Sequence, residues 1–206
     1  MVELTSLLER SAALHNHLCP RQVLGVRMGL YAGVLLNLAL PQTDKRLFTF
    51  IETDGCFADG IAVATGCTLG HRTLRLMDNG KVAATFVDTE TGRGVRIAPH
   101  SLARTRAARV FPELESHWRA QLEAYQIMPD SELFEVQDVM LNLSLARLIS
   151  RAGVRVNCTV CGEEILNERE VIVEGQTLCK SCAGERYWSP VKTHKEAILP
   201  AIVAWA

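Results

Sequence analysis

The chain has 206 residues, 48% of them hydrophobic, which is enough for one large domain and a small appended one. Its formal net charge of −1 excludes a strong overall attraction to nucleic acid or to an anionic membrane. Residues 1–10 contain two glutamates and no long apolar run, so we expect neither a secretory signal nor a membrane span. Four of the seven cysteines form Cys-x-x-Cys pairs, which indicates metal binding in a reducing compartment. We therefore expect a cytoplasmic protein.

The first predicted element is a short amphipathic helix that begins at a capping box, residues 6–9. It leads to the sequence HNHLCP at residues 15–20, where two imidazoles and a thiol lie within five residues. In an extended loop, His15, His17 and Cys19 share one side, whereas in a helix they would fan apart. The alternative is a buried loop whose polar groups are paired by hydrogen bonds. We favour a metal site, because imidazole and thiolate are ligands that a zinc-class ion prefers.

A longer helix is predicted from Pro20 to about Leu38, with the proline at the favoured first position. It is apolar on nearly all sides, which is typical of a buried helix. Gly25, Gly29 and Gly33 recur every four residues and would allow another backbone to approach closely. We interpret them as core-packing positions.

A buried strand is predicted at residues 47–53, followed by a turn at residues 54–60 that carries Cys56. The end of a buried strand is a common position for a functional site. A short helix is predicted at residues 61–67. The sequence Asp78-Asn79-Gly80 predicts a tight hairpin between strands at residues 71–77 and 81–88.

Strands at residues 95–98 and 133–139 and a helix at residues 112–125 are predicted in the rest of the first domain. The order of these elements predicts an α+β fold, in which a mixed β-sheet is covered by helices. A small four-cysteine zinc ribbon is expected to follow this domain.

The ribbon is predicted from two Cys-x-x-Cys pairs separated by seventeen residues, the spacing of a four-cysteine zinc site: Cys158, Cys161, Cys179 and Cys182. About thirty residues cannot bury a core unaided, so we expect the ion to supply much of the folding free energy. Between the first and last cysteine there are five acidic residues and two basic ones, which counts against direct nucleic-acid binding. The apolar residues after the ribbon are typical of a docking segment.

Together these motifs resemble the FmdE family, which takes its name from a component of formylmethanofuran dehydrogenase. The resemblance is carried by the HNHLCP sequence and by residues 25–28, 52–59, 66–70, 78–83 and 91–96. The ribbon resembles the TraR/DksA zinc-finger class. The resemblance implies an FmdE-like α+β metal-binding domain at residues 1–150, a zinc ribbon at residues 151–188 and a C-terminal docking tail at residues 189–206. The family motif usually has glycine after Cys-Pro, where this chain has Arg21.

We predict that the first domain binds zinc or another transition metal. Carboxylates at positions 54 and 59 are expected to orient a histidine, and Cys67 is interpreted as a small buried residue. Three protein ligands would leave a position open to water or substrate, whereas four would make the ion structural, and both alternatives stay open here. The predicted ligands are His15, His17, Cys19 and Cys56.

Three functions are compatible with these patterns. The first is an FmdE-like metalloprotein, either an accessory subunit of a molybdenum or tungsten dehydrogenase complex or a stand-alone zinc-dependent protein. The second is a regulatory module whose ribbon engages nucleic acid or the transcription machinery. In the third, both ions only stabilise the fold of one component of a larger complex. We expect a homodimer and no membrane partner, and we rank nucleic acid last among the partners.

Overall fold

The structure is a computed structural model that describes residues 3–149 and 152–191. The chain divides into two compact units, Met1–Leu145 (unit 1) and Ala146–Ala206 (unit 2). Of the docking tail predicted at residues 189–206, residues 192–206 lie outside the described residues. None of the described helices is both long enough and apolar enough to cross a membrane.

Unit 1 is a five-stranded mixed sheet with helices, which confirms the predicted α+β fold. The strand order is β2-β1-β3-β4-β5, and only the β1–β2 pair is parallel. The helices are α1 Leu4–His15, α2 Pro20–Leu36, α3 Cys56–Thr65, α4 Ala103–Val110, α5 His117–Ile127 and α6 Asp130–Leu133. The strands are β1 Leu47–Ile51, β2 Leu74–Leu76, β3 Ala84–Asp88, β4 Gly94–Pro99 and β5 Phe134–Val139.

Helix α2 begins at Pro20, as predicted, and Cys19 precedes it in an extended conformation. The buried Gln22 side chain fixes this junction. Its Oε1 accepts a hydrogen bond of 2.8 Å from the Cys19 backbone N–H, and its Nε2 donates one of 2.8 Å to the Ser11 carbonyl oxygen in α1. The loop that carries the two histidines is therefore held between α1 and α2.

Helices α2 and α3 pack together through glycine. A Cβ atom on Gly25 would lie 2.4 Å from the Phe57 carbonyl oxygen and 3.1 Å from the Gly60 Cα. A Cβ atom on Gly60 would in turn lie 2.5 Å from the Gln22 carbonyl oxygen. The predicted core-packing role is confirmed for Gly25, and the close approach brings the first residues of both helices near each other.

We expect Gly25→Ala to lower the free energy of unfolding by at least about 2 kcal/mol, because the α3 backbone must move away from the added methyl group. This loss exceeds the gain of roughly 1 kcal/mol that alanine has over glycine in a helix. Urea denaturation followed by circular dichroism measures the change. The matched control is Gly70→Ala, since a Cβ there would meet only the Thr68 hydroxyl at 4.0 Å. Equal stability of the two variants would contradict the prediction.

The predicted hairpin at Asp78-Asn79-Gly80 is wrong. Strand β2 pairs with one edge of β1 and β3 pairs with the other edge, so β1 separates them. The Glu52 carbonyl oxygen accepts hydrogen bonds of 3.0 Å from the backbone N–H groups of Asn79 and Lys81. The turn is therefore bound to the end of β1 instead of joining two paired strands.

Some predicted helix boundaries also need correction. Helix α1 begins at Leu4, so the capping box at Ser6 does not start it. Helix α3 begins at Cys56, five residues before the predicted start at Ile61. Helix α5 begins at His117, because the Ser116 hydroxyl accepts a hydrogen bond from the Arg119 backbone N–H and caps the helix there. Helix α4 was not predicted.

The last residue of β3, Asp88, is 1% exposed and fully paired. Its carboxylate accepts two hydrogen bonds of 3.0 Å from the Arg46 guanidinium, and further ones of 3.0 Å from the Glu90 backbone N–H and the Thr91 hydroxyl. The hydrogen bonds from Arg46 lower the pKa of Asp88 from its usual 3.8 to about 2. Ionised Asp88 therefore stabilises this end of the sheet.

We expect Asp88→Asn to lower the free energy of unfolding by about 2 kcal/mol at pH 7, since one pKa unit corresponds to roughly 1.4 kcal/mol. The folded-state pKa is depressed, so this contribution is present above about pH 4 and is lost as the pH falls toward 2. Urea denaturation at pH 7, 4 and 3 should show the difference from wild type shrinking with acid. The control is Asp138→Asn, whose side chain is 80% exposed and lies 3.6 Å from Arg93. A constant difference across this range would contradict the prediction.

Unit 2 contains two antiparallel two-stranded sheets, β6–β7 and β8–β9. Their strands are β6 Arg155–Asn157, β7 Glu164–Leu166, β8 Val171–Val173 and β9 Gln176–Leu178, and a short helix, α7 Leu145–Ile149, lies where the units meet in sequence. In the described residues the buried cluster of this unit consists of Cys158, Ile165 and Leu178. Such a small core needs another source of stability.

Candidate metal centres

The four ribbon cysteines come together in unit 2, as predicted. One ligand atom from each of them lies within 4.8 Å of the others. The Cys161 and Cys179 sulfurs are 3.9 Å apart, and the Cys182 backbone N–H donates to the Cys179 sulfur at 3.4 Å. This is the donor set of a tetrahedral structural zinc site.

Hydrogen bonds make these sulfurs unequal. Backbone N–H groups of Cys161 and Cys179 donate to the Cys158 sulfur and lower the pKa of Cys158 to about 6. The neighbouring Cys179 thiol, followed by burial, raises the pKa of Cys182 to about 12. Four thiolates this close repel one another, so a divalent cation is what allows all of them to ionise together.

A second cluster lies in unit 1 and consists of His17, Cys19 and Cys56, whose ligand atoms also lie within 4.8 Å of one another. His17 is exposed in the loop before α2, Cys19 is the buried residue that precedes α2, and Cys56 is the half-buried first residue of α3. The glycine contact between α2 and α3 thus joins residues that are 37 positions apart in the chain.

The ring orientation of His17 is fixed from behind. Its Nδ1 atom lies 2.9 Å from the His15 carbonyl oxygen, and a carbonyl oxygen can only accept, so Nδ1 is the protonated donor. Nε2 therefore keeps its lone pair and is the nitrogen available to a metal. A hydrogen bond from the other ring nitrogen to a backbone carbonyl is typical of metal-binding histidines.

His15 lies beside this cluster. Its Nε2 atom contacts the Asp59 carboxylate, and its ring meets that of His17 edge-on, with centroids 5.8 Å apart. The expectation that a carboxylate orients a histidine is thus met by Asp59, whereas Asp54 is exposed. His15 stays a predicted ligand, but the three-residue cluster is formed without it.

Cys67 lies outside both clusters. It is 2% exposed, and its sulfur is 3.4 Å from the Leu47 carbonyl oxygen and 3.4 Å from the Thr49 hydroxyl. This confirms its interpretation as a small buried residue, although it follows α3 and is not part of a helix.

The two thiols of the unit 1 cluster line a cavity of about 550 Å³. Burial, followed by the neighbouring Cys19 thiol, raises the pKa of Cys56, so a cation is needed to stabilise the thiolate form of this pair. The opposite wall is formed by α4 and α5 with the loop before them, and it includes His100, Arg104, Trp118 and Tyr125. The sequence analysis did not identify these wall residues, because no local motif connects them to the HNHLCP sequence.

Known protein families match both parts of the chain. The family described as "FmdE, Molybdenum formylmethanofuran dehydrogenase operon" matches residues 14–135, and the "Prokaryotic dksA/traR C4-type zinc finger" matches residues 151–187. The match to the zinc finger and the four-cysteine cluster together support zinc in the ribbon.

A relative from Archaeoglobus fulgidus, named a probable S-adenosyl-L-methionine-binding protein, is 30% identical over 203 residues. The match covers 90% of this chain but only 54% of the relative, so the chain spans about half the relative's length. A crystal structure of an FmdE-like protein of tungsten formylmethanofuran dehydrogenase, from Syntrophus aciditrophicus, has a TM-score of 0.57 and 22% identity. It covers 91% of this chain and 96% of that one, which shows the fold. Because the FmdE match covers more than half of the chain, the protein belongs to the FmdE family and carries a C-terminal four-cysteine zinc finger.

Proposed function

We propose that unit 1 binds a zinc-class transition metal through His17, Cys19 and Cys56, next to a cavity that receives a small molecule. The observation that carries this proposal is the position of the two thiols on the cavity wall, within ligand distance of the histidine. One imidazole and two thiolates suit zinc, and the same set is found at open zinc sites that keep one position for water or substrate. A metal centre that only stabilised the fold would not need a cavity of this size.

We also propose that the protein acts as a stand-alone metalloprotein and not as an accessory subunit. Supporting this, unit 1 alone supplies all three donors and every described residue that lines the cavity. The ribbon zinc is proposed to be structural. Homodimer formation and association with a larger molybdenum or tungsten enzyme stay predictions, which light scattering and metal analysis of the purified protein test.

The open position can be tested with cobalt in place of zinc in the full chain. The visible spectrum of wild type minus that of Cys56→Ser isolates the unit 1 ion from the ribbon ion. We expect azide, a small anion that enters open coordination positions, to shift this difference spectrum. A spectrum that azide leaves unchanged would show a closed structural ion, and the absence of any difference spectrum would remove the unit 1 ion; either result overturns the proposal.

A second candidate function is S-adenosyl-L-methionine binding, which the name of the Archaeoglobus relative favours. The cavity volume of about 550 Å³ falls within the range of small-molecule sites. Trp118 on its wall is 51% exposed and offers a face on which an adenine ring can stack. Equilibrium dialysis with S-adenosyl-L-methionine tests this candidate. Trp118→Ala should weaken binding and Trp188→Ala should not, since Trp188 is similarly exposed at 48% but lies in unit 2.

A further inference from the structure

The charge of the unit 1 cavity is one-sided. Arg21 and Arg104 line it, and none of the described residues on its wall carries a carboxylate. Within residues 3–149 and 152–191, neither arginine has a carboxylate at ion-pair distance. By contrast, Arg27, Arg46 and Arg96 in the same unit are each paired with an acid. The two cavity arginines therefore have unused capacity to bind an anion.

The helix arrangement adds to this positive charge. The first residue of each of α2, α3 and α4, which is Pro20, Cys56 and Ala103 respectively, lines the cavity. The amino-terminal end of a helix carries a partial positive charge and unpaired backbone N–H groups. Three such ends at one cavity favour the same sign of ligand as the two guanidinium groups.

The metal centre does not offset this charge. Two thiolates and one neutral imidazole balance a divalent cation, so the loaded site has no net charge, and the arginines determine the charge of the cavity. The Nδ1 atom of His100 accepts a hydrogen bond of 3.0 Å from the Leu102 backbone N–H, so this nitrogen carries no proton. The Arg104 charge also acts within the cavity, since it opposes the burial that raises the pKa of Tyr125.

The remaining wall is apolar or aromatic and includes Leu24, Val82, Pro99 and Trp118. We propose that the cavity binds a small organic anion, whose carboxylate or phosphate group is held by Arg21 and Arg104 while its apolar or aromatic body packs against this wall. The proposal rests on the proposed function, because it names the ligand class for the same site. Guanidinium groups bind carboxylate and phosphate oxygens by charge-assisted hydrogen bonds, often two at a time.

The test is isothermal titration calorimetry on the zinc-loaded full chain with ligands that share one ring and differ in their head group. The probes are 2-naphthoate, 2-naphthyl phosphate and the neutral 2-naphthamide. We expect wild type to bind at least one of the two anions at least about tenfold more tightly than the amide. The anion that binds more tightly distinguishes a carboxylate ligand from a phosphate ligand. The double variant with Arg21→Gln and Arg104→Gln should lose this preference.

The control is Arg109→Gln, which removes an exposed arginine from the same helix α4 but not from the cavity wall. It should keep the preference of wild type. Equal binding of anion and amide by wild type, or no anion binding at millimolar concentration, would overturn the proposal even if the double variant fails to fold. The ion content of the same samples is measured separately, so loss of the unit 1 ion would count against the proposed metal centre and not against the anion preference.

Discussion

Replacing Cys158 with serine is expected to remove one zinc ion per chain and to unfold strands β6–β9, while unit 1 stays folded. The Cys158 sulfur receives backbone hydrogen bonds from Cys161 and Cys179, and it also belongs to the small buried cluster of unit 2. Three buried residues cannot offset the conformational entropy of this segment, so folding depends on the ion. A serine hydroxyl does not ionise at neutral pH and is a poor zinc ligand, so the whole unit should be lost.

Zinc content by elemental analysis and amide hydrogen exchange of residues 152–185 measure the two effects. The matched control is Cys67→Ser, which replaces a buried thiol in unit 1 that belongs to neither cluster. It should keep the ribbon zinc and the protection of the ribbon amides. A Cys158→Ser chain that retained its zinc and its slow exchange would show that the ribbon does not depend on a four-sulfur ion.

The ribbon could be predicted from sequence because its information is local. Two Cys-x-x-Cys pairs and a Glu174-Gly175 turn between two short strands determine both the donor set and the connection between β8 and β9. Glu174 and Gly175 both have positive φ, at 49° and 79°, as a tight turn of this kind requires. No long-range contact is needed to place the four sulfurs.

The three-residue cluster of unit 1 was also predicted, although one of its supporting elements was placed wrongly. The HNHLCP motif located His17 and Cys19 before α2, and Cys56 was expected at the end of a buried strand. The start of α3 was missed because Gly55, in the left-handed region at φ 74°, lets the helix begin one residue after the turn. An Asp-Gly sequence normally indicates only a turn, and the helix that follows is stabilised by its contact with α2.

Pairing and cavity could not be predicted for physical reasons. The Asn79-Gly80 turn has strong local hairpin propensity, but β1 inserts between β2 and β3 and takes the pairing partners of both. Helix α4 buries only Ala103 and Ala107, so its apolar stripe is too small to be recognised in the sequence. Because the far wall of the cavity depends on α4 and α5, its arginine and aromatic residues are found only once the fold is known.

Replacing Cys56 with serine is expected to weaken metal binding in unit 1 by more than the roughly 10- to 100-fold that loss of a hydrogen-bonding partner of a metal ligand costs, since a ligand itself is removed. Elemental analysis after anaerobic purification should find one fewer ion per chain than in wild type, with the ribbon zinc retained. Unit 1 should stay folded, because Cys56 is half-buried at a helix end and its side chain adds little to the core. Cys67→Ser is again the control: that thiol is more deeply buried but lies outside the cluster, so its loss should leave the ion count unchanged. If both variants kept the wild-type ion count, Cys56 would not be a ligand; if both lost an ion, the loss would reflect general damage to unit 1 and not removal of a donor.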